Sequence, residues 1–468
     1  MNFNTLTPTA KLVKKLQNYT TGHPVTSSDV PNIVIVNACE TIESKKLVEH
    51  TAAGARAQGA AVFTYNVPKF GWATKINPMT AKFADSFWHF SATAMQAVIQ
   101  TNMADGVVIV ADCDVTVGGL LMGAVKSNCP VTVLPLGVAA RQDTLKIAGS
   151  ITNGKLTSTQ GENLLKDAPP LYGQTDEFNS VSSFFILLEA MGLCAEGASL
   201  NKKDSGAQLL AAGVTGEKIV TMAKNIASPR KLLTKTAFQD AVTLAAKLGV
   251  SVGALGYLRR LVIENDVKIP HELISEVCAK TALAVSTENQ KCTFIRDAGG
   301  LKAFSNGANE AVAKTSRIVL AKGGACGDGG YIQFNEHTPA TFNGKAWVYQ
   351  TLEEADNALL GGNIPAGSVV VVQNCAGVNV TALSQAILGM GRAKEIAIAT
   401  DGFCDDVGVL SVTQCCPASH ENEEFANIQN GDVLEIDIAR GRFNTSISAK
   451  DMKTRAKKNT TRKQAVYF

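Results

Sequence analysis

No stretch of this chain approaches the roughly 20 consecutive apolar residues that a bilayer-spanning helix needs. The opening segment, MNFNTLTPTAKLVKKLQNYT, has no apolar core of signal-peptide length. Charge of one sign is lacking too: 44 Lys and Arg stand against 41 Asp and Glu, a net of +3, with no long run of either. These absences argue against a membrane protein and against a nucleic-acid partner, and the chain reads as cytoplasmic. The basic end, AKDMKTRAKKNTTRKQAVYF, has no aromatic residue between its charges and reads as a solvated tail. The eleven cysteines are odd in number, and none are spaced CxxC, so neither a disulfide framework nor an ordinary zinc site is indicated. HENEE (420–424) is not HExxH, and the Gly-rich AKGGACGDGG (321–330) lacks the Lys-Ser/Thr of a phosphate loop.

What is present is enough apolar residue, 46% of 468, to bury large cores in two or three domains. Four β-branched runs, NIVIVNA (32–38), AAVFTYNV (60–67), GVVIVAD (106–112) and PVTVLPL (130–136), alternate with alanine-rich segments of helical spacing. Near-continuous apolar strands between helices predict a doubly wound parallel sheet, an α/β domain. From about 160 to 310 the pattern is helical, with Thr234 or Thr236 placed to cap the helix that ends near Gly249. After about 314 come short strands and Gly-rich turns, interrupted by two helical segments, TLEEADNALLGG and NVTALSQAILGM. That texture predicts a β-barrel-like C-terminal domain. The expected layout is an N-terminal extension (1–30), an α/β domain with added helices (31–310), a barrel-like domain (311–450) and a basic tail (451–468).

Ligands of open α/β sheets bind beyond the carboxyl ends of the strands. Two runs end at Cys39 and at Asp112-Cys113-Asp114, and in the second domain EIAIATDGFCDD sets Asp401, Cys404, Asp405 and Asp406 just past another. The two clusters are expected to face each other across a cleft. Four thiols after strands or in Gly-rich loops, Cys39, Cys113, Cys326 and Cys404, could hold a cluster or zinc, or fill tight packing as buried cysteines do. The aspartates 112, 114, 401, 405 and 406 could bind magnesium or manganese, with one as base, or could only cap turns.

The ordered segments DGVVIVADCDVTVGGLLMGAVKSNCPVTVLPLG, LLEAMGLCAEGASL, RDAGGLKAF, IVLAKGGACGDGG, IPAGSVVVVQNCAG, AILGMG, ATDGFCDDVGVLSVTQCCPASHE and IQNGDVLEIDI resemble those of the dihydroxy-acid and sugar-acid dehydratases. The resemblance covers most of the chain. It implies an α/β domain plus a barrel-like domain with the site between them, in a homodimer. The activity implied is removal of water from a small hydroxy or sugar acid to give a 2-keto acid. In that family an iron–sulfur cluster acts as Lewis acid on the leaving hydroxyl, magnesium holds the carboxylate end, and a serine takes the C2 proton.

Carried over position by position, Cys113 matches a cluster cysteine and Asp114 a magnesium aspartate. The next motif position, a metal-binding carbamylated lysine in the family, is Val115 here. The other cluster cysteines fall near Lys45 and Thr175, the magnesium glutamate at about Val380, and the serine at Asp405. Two functions are therefore expected as alternatives. One is a hydro-lyase with an altered metal site, in which Asp405 and Asp401 are catalytic, Asp114 and Asp112 bind metal, and Cys113, Cys39, Cys404 and Cys326 hold the cofactor. The other is a non-catalytic paralogue that binds a small acid or a protein partner in the cleft.

Overall fold

The computed structural model describes residues 7–24, 30–39, 41–139, 144–166, 173–270, 272–306, 310–314, 316–327, 329–375, 377–405, 408–415 and 423–458. The four apolar runs of the first third form four parallel strands, β1 (Asn32–Asn37), β2 (Ala61–Asn66), β3 (Gly106–Ala111) and β4 (Val131–Pro135), in the order β2-β1-β3-β4. Val34 sits opposite Phe63 on one side and Val107 on the other, and Ile109 opposite Val133. Every position of β1, β3 and β4 is buried, while β2, on the edge, alternates after its first two residues. Burial on both faces is what a parallel sheet covered by crossover helices demands.

The expected helical stretch follows. Thr234, not Thr236, caps the helix Lys235–Leu248 by accepting from Ala237 N, and Gly249 ends it at φ 73°, a left-handed conformation that glycine adopts without a Cβ clash.

The second sheet has eight strands: β5 (Ile318–Leu320), β6 (Tyr331–Gln333), β7 (Thr341–Tyr349), β8 (Ser368–Val372), β9 (Ile396–Thr400), β10 (Ser411–Thr413), β11 (Val433–Asp437) and β12 (Arg442–Thr445). Their order is β12-β11-β7-β8-β9-β10-β6-β5. Lys322, just past β5, bridges to Arg442 of β12, so the two ends of the sheet meet and it is nearly closed, barrel-like as expected. The alternation of β8 separates two cores. Val369 and Val371 face one with Leu434 and Phe443, while Val370 and Val372 face another with Leu359 and Leu383 of the helices Leu352–Leu360 and Thr381–Met390.

The start of the basic tail is a helix that is exposed along most of its length and fastened at a few points. Ser448 accepts from Asp451 N and donates back to its carboxylate, starting the helix Ala449–Lys458. Met452 is buried against the second sheet, and Arg455 makes a two-pronged ion pair with Asp432. Among the described residues no helix is long and apolar enough to cross a membrane.

The two halves interlock. Val252 N donates to Gln333 at 3.3 Å, Gln414 Nε2 donates to Val252 O at 3.1 Å, and the helix Thr144–Thr152 packs on Thr381–Met390.

Candidate functional site

β3 delivers Asp112, Cys113 and Asp114 to the start of the helix Asp114–Lys126, where a carboxylate in the first turn is favoured by the exposed backbone N–H groups. That helix is drawn in close. A Cβ on Gly118 would lie 1.9 Å from the Trp88 ring, so only glycine fits between this helix and Ala84–Thr101. Asp114 Oδ1 accepts from Val115 N at 2.9 Å and faces the Cys113 thiol at 3.6 Å. Its Oδ2 accepts from Ser180 Oγ and from Lys75 Nζ, both at 2.5 Å, and Lys75 also donates to Ser180.

From the other half, the segment after β9 brings Asp405 to the same lysine. Lys75 Nζ lies 4.0 Å from Asp405 Oδ2, which accepts from Asn379 Nδ2 at 2.5 Å, while Asp405 Oδ1 accepts from Ser251 Oγ at 2.8 Å. Thr381 Oγ1 accepts from Asp405 N at 2.8 Å and fixes the turn. The Lys75 ammonium also sits 5.3 Å from the centre of the Trp72 ring and 5.2 Å from that of Tyr257. The group is closed to solvent: Lys75 is 1% exposed, Asp114 and Ser180 0%, Asp405 5%. Burial alone would lower the lysine's pKa, but the carboxylates of Asp114 and Asp405 outweigh it and raise the value, so Lys75 is a fixed cation.

The strand ends carrying Asp114 and Asp405 thus meet, although inside a packed interior and on either side of a lysine. The other expected residues do not all join them. Asp112 is buried near Cys39, and desolvation raises its pKa against the pull of Lys69. Cys39 and Cys113 lie within electrostatic reach of each other, and burial, then the neighbouring aspartates, pushes both thiols well above their ordinary range. Asp401 turns instead to Cys375 N, from which it accepts at 2.8 Å, and desolvation raises its pKa to about 7. Cys326 is packed in the core shared by Val369 and Phe443, and Cys404 in the one shared by Val370 and Leu383, so the four thiols are spread over three cores. Asp406 and Cys416 lie outside the described residues.

Lys75, Ser180, Ser251, Asn379 and Tyr257 were missing from the expected set. The only local signal for Lys75 is its place among aromatic and apolar residues in FGWATKINP. Ser180 and Ser251 look like ordinary helix-start residues, which they also are.

A parallel α/β domain joined through a carboxylate-lined interior to a nearly closed eight-stranded sheet defines a two-domain class with a buried centre at the seam. The family model described as Dihydroxy-acid/6-phosphogluconate dehydratase N-terminal matches residues 31–319, and its C-terminal counterpart matches 306–467. The chain belongs to the dihydroxy-acid/6-phosphogluconate dehydratase family. It is 24% identical to the dihydroxy-acid dehydratase of Caldicellulosiruptor saccharolyticus over 91% of this chain and 88% of that one. To that of Thermodesulfovibrio yellowstonii it is 22% identical over 96% and 92%. To that of Pyrococcus abyssi it is 23% identical over 92% and 89%.

The residues present do not fit the cofactors that the resemblance implies. At the positions matched to two cluster cysteines stand Lys45, exposed on the helix Ile42–Ala57, and Thr175, whose N–H donates to Ser182 Oγ. At two magnesium positions stand the buried, apolar Val115 and Val380. The surviving Asp114 carboxylate is saturated by Lys75, Ser180 and Val115 N, and a fixed ammonium there repels a second cation. Among the described residues no three His, Cys, Asp or Glu side chains are grouped to hold a metal ion.

Proposed function

We propose that this chain keeps the dehydratase fold without the cluster- and magnesium-dependent dehydration, and that it is a non-catalytic paralogue whose work is binding, of a small acid or of a protein partner. The observation that carries the reading is the ion pair of Lys75 with Asp114, which consumes the carboxylate that still matches a metal position. Hydroxide is a poor leaving group, so a 2,3-dihydroxy acid needs a strong electrophile on the departing oxygen. The Lys75 ammonium is already engaged by a carboxylate and a hydroxyl. Asp405, the expected base in a hydro-lyase, is buried, and its two oxygens accept from Ser251 and Asn379. Family matches across both halves, with changed residues at the positions matched to the reaction centre, support a role for the folded surface rather than for the centre.

The test is anaerobic purification followed by reconstitution with iron, sulfide and magnesium, with elemental analysis and an assay for 2-keto acid from a panel of 2,3-dihydroxy and sugar acids. The expected result is no stoichiometric iron and no keto acid. Keto acid that appears in step with iron uptake and disappears in Cys113→Ser would restore the hydro-lyase with an altered metal site.

A further inference from the structure

Three carboxylate oxygens or hydroxyls from three distant segments point at one atom, Lys75 Nζ: Asp114 Oδ2 at 2.5 Å, Ser180 Oγ within hydrogen-bond reach, and Asp405 Oδ2 at 4.0 Å. Two carboxylates and a hydroxyl are the hard oxygen donors that a divalent cation takes. Here they surround an ammonium supplied by the chain itself, on the short helix Trp72–Ile76. The faces of Trp72 and Tyr257 complete the enclosure, an arrangement that suits an ammonium.

We propose that the Lys75 ammonium is the resident cation of this centre, pairing with Asp114 of the first domain and offsetting part of the charge of Asp405 of the second where a divalent ion would otherwise sit, and fastening the two halves together without a metal. The proposal deepens the non-catalytic reading given above. Two consequences follow from the geometry. Without the ammonium the two carboxylates would face each other as buried like charges, which drives either protonation or capture of another cation. Removing the side chain opens space beside both carboxylates.

The experiment measures manganese binding by electron paramagnetic resonance and thermal unfolding with EDTA or millimolar MnCl2, on the full chain. Wild type is expected to bind no manganese at this centre and to melt at the same temperature in both conditions. Lys75→Ala is expected to melt lower in EDTA, to bind one manganese ion, and to recover stability with MnCl2. Lys75→Ala/Asp114→Asn is expected to lose both the binding and the recovery. Should Lys75→Ala not fold, the wild type still decides: one manganese bound, and lost in Asp114→Asn, would overturn the proposal. A folded Lys75→Ala whose melting is unchanged from wild type, or which gains nothing from manganese, would also overturn it. Keto-acid formation by wild type would sink the non-catalytic reading but leave these binding outcomes to be judged by themselves.

Discussion

Two pairs share one ammonium at different ranges, and their couplings should differ accordingly. At an effective dielectric of about 20, the 2.5 Å contact of Lys75 with Asp114 is worth about 7 kcal/mol of gross attraction, and the 4.0 Å approach to Asp405 about 4 kcal/mol. Desolvation of the buried groups offsets most of both, leaving a net coupling of about 2–3 kcal/mol with Asp114 and about half of that with Asp405. Lys75→Met alone strands Asp114 without a cation and should cost about 3–5 kcal/mol. With about 2.1 cal/mol/K of unfolding entropy per residue over 468 residues, that is a fall of about 3–5 °C in Tm if the halves melt together. The assay is a pair of double-mutant cycles, Lys75→Met with Asp114→Asn and Lys75→Met with Asp405→Asn, read by urea unfolding and by calorimetry. In the first cycle the double variant should be more stable than the two single losses added together. Equal couplings in the two cycles, or a coupling with Asp114 below about 0.5 kcal/mol, would refute the assignment of Asp114 as the main counter-ion.

Asp401 titrates near 7 in the folded chain because of desolvation, well above the usual aspartate value of about 3.8. The unfolded chain therefore loses this proton first, and stability should fall as pH rises from about 4 to 7, by on the order of 4 kcal/mol, and then level off. Asp401→Asn, which can still accept from Cys375 N, should flatten that dependence and raise stability at pH 8; a profile identical to wild type would contradict it. Gly118→Ala forces a methyl to within 1.9 Å of the buried Trp88 ring and should cost at least about 3 kcal/mol or abolish soluble expression, as seen by circular dichroism and yield. A Tm within about 1 °C of wild type would refute that packing. Ten cysteines are buried, so native protein treated with iodoacetamide at neutral pH should take no more than one label by mass spectrometry, and all should react in urea. Fast native labelling of Cys39 or Cys113 would show their environment to be open.

The strands were legible because β-branched runs bounded by glycine and aspartate have few other ways to fold, and β1, β3 and β4 lie where those runs predicted them. Asp114 and Asp405 were legible for a related reason: each follows a strand, at the end of the sheet where side chains from separate segments converge. Lys75 was not. A single lysine in a five-residue helix has the look of a surface residue, and its burial is created by Asp114, Ser180, Tyr257 and Asp405, which come from four other segments. The thiols misled in the opposite direction. Cys39, Cys113, Cys326 and Cys404 all follow strands or lie in Gly-rich loops, but position along a strand does not fix which of three cores a side chain enters.

The bridge between Lys322 and Arg442 also bears on how the chain is made. Of the second sheet, the strand at one rim leaves the ribosome first, and its partner at the other rim follows only after the rest of that sheet. Until then the early rim carries open backbone donors and acceptors, the kind of surface on which nascent chains stick to one another. Premature termination before Arg442 should therefore yield insoluble material rather than a smaller folded protein.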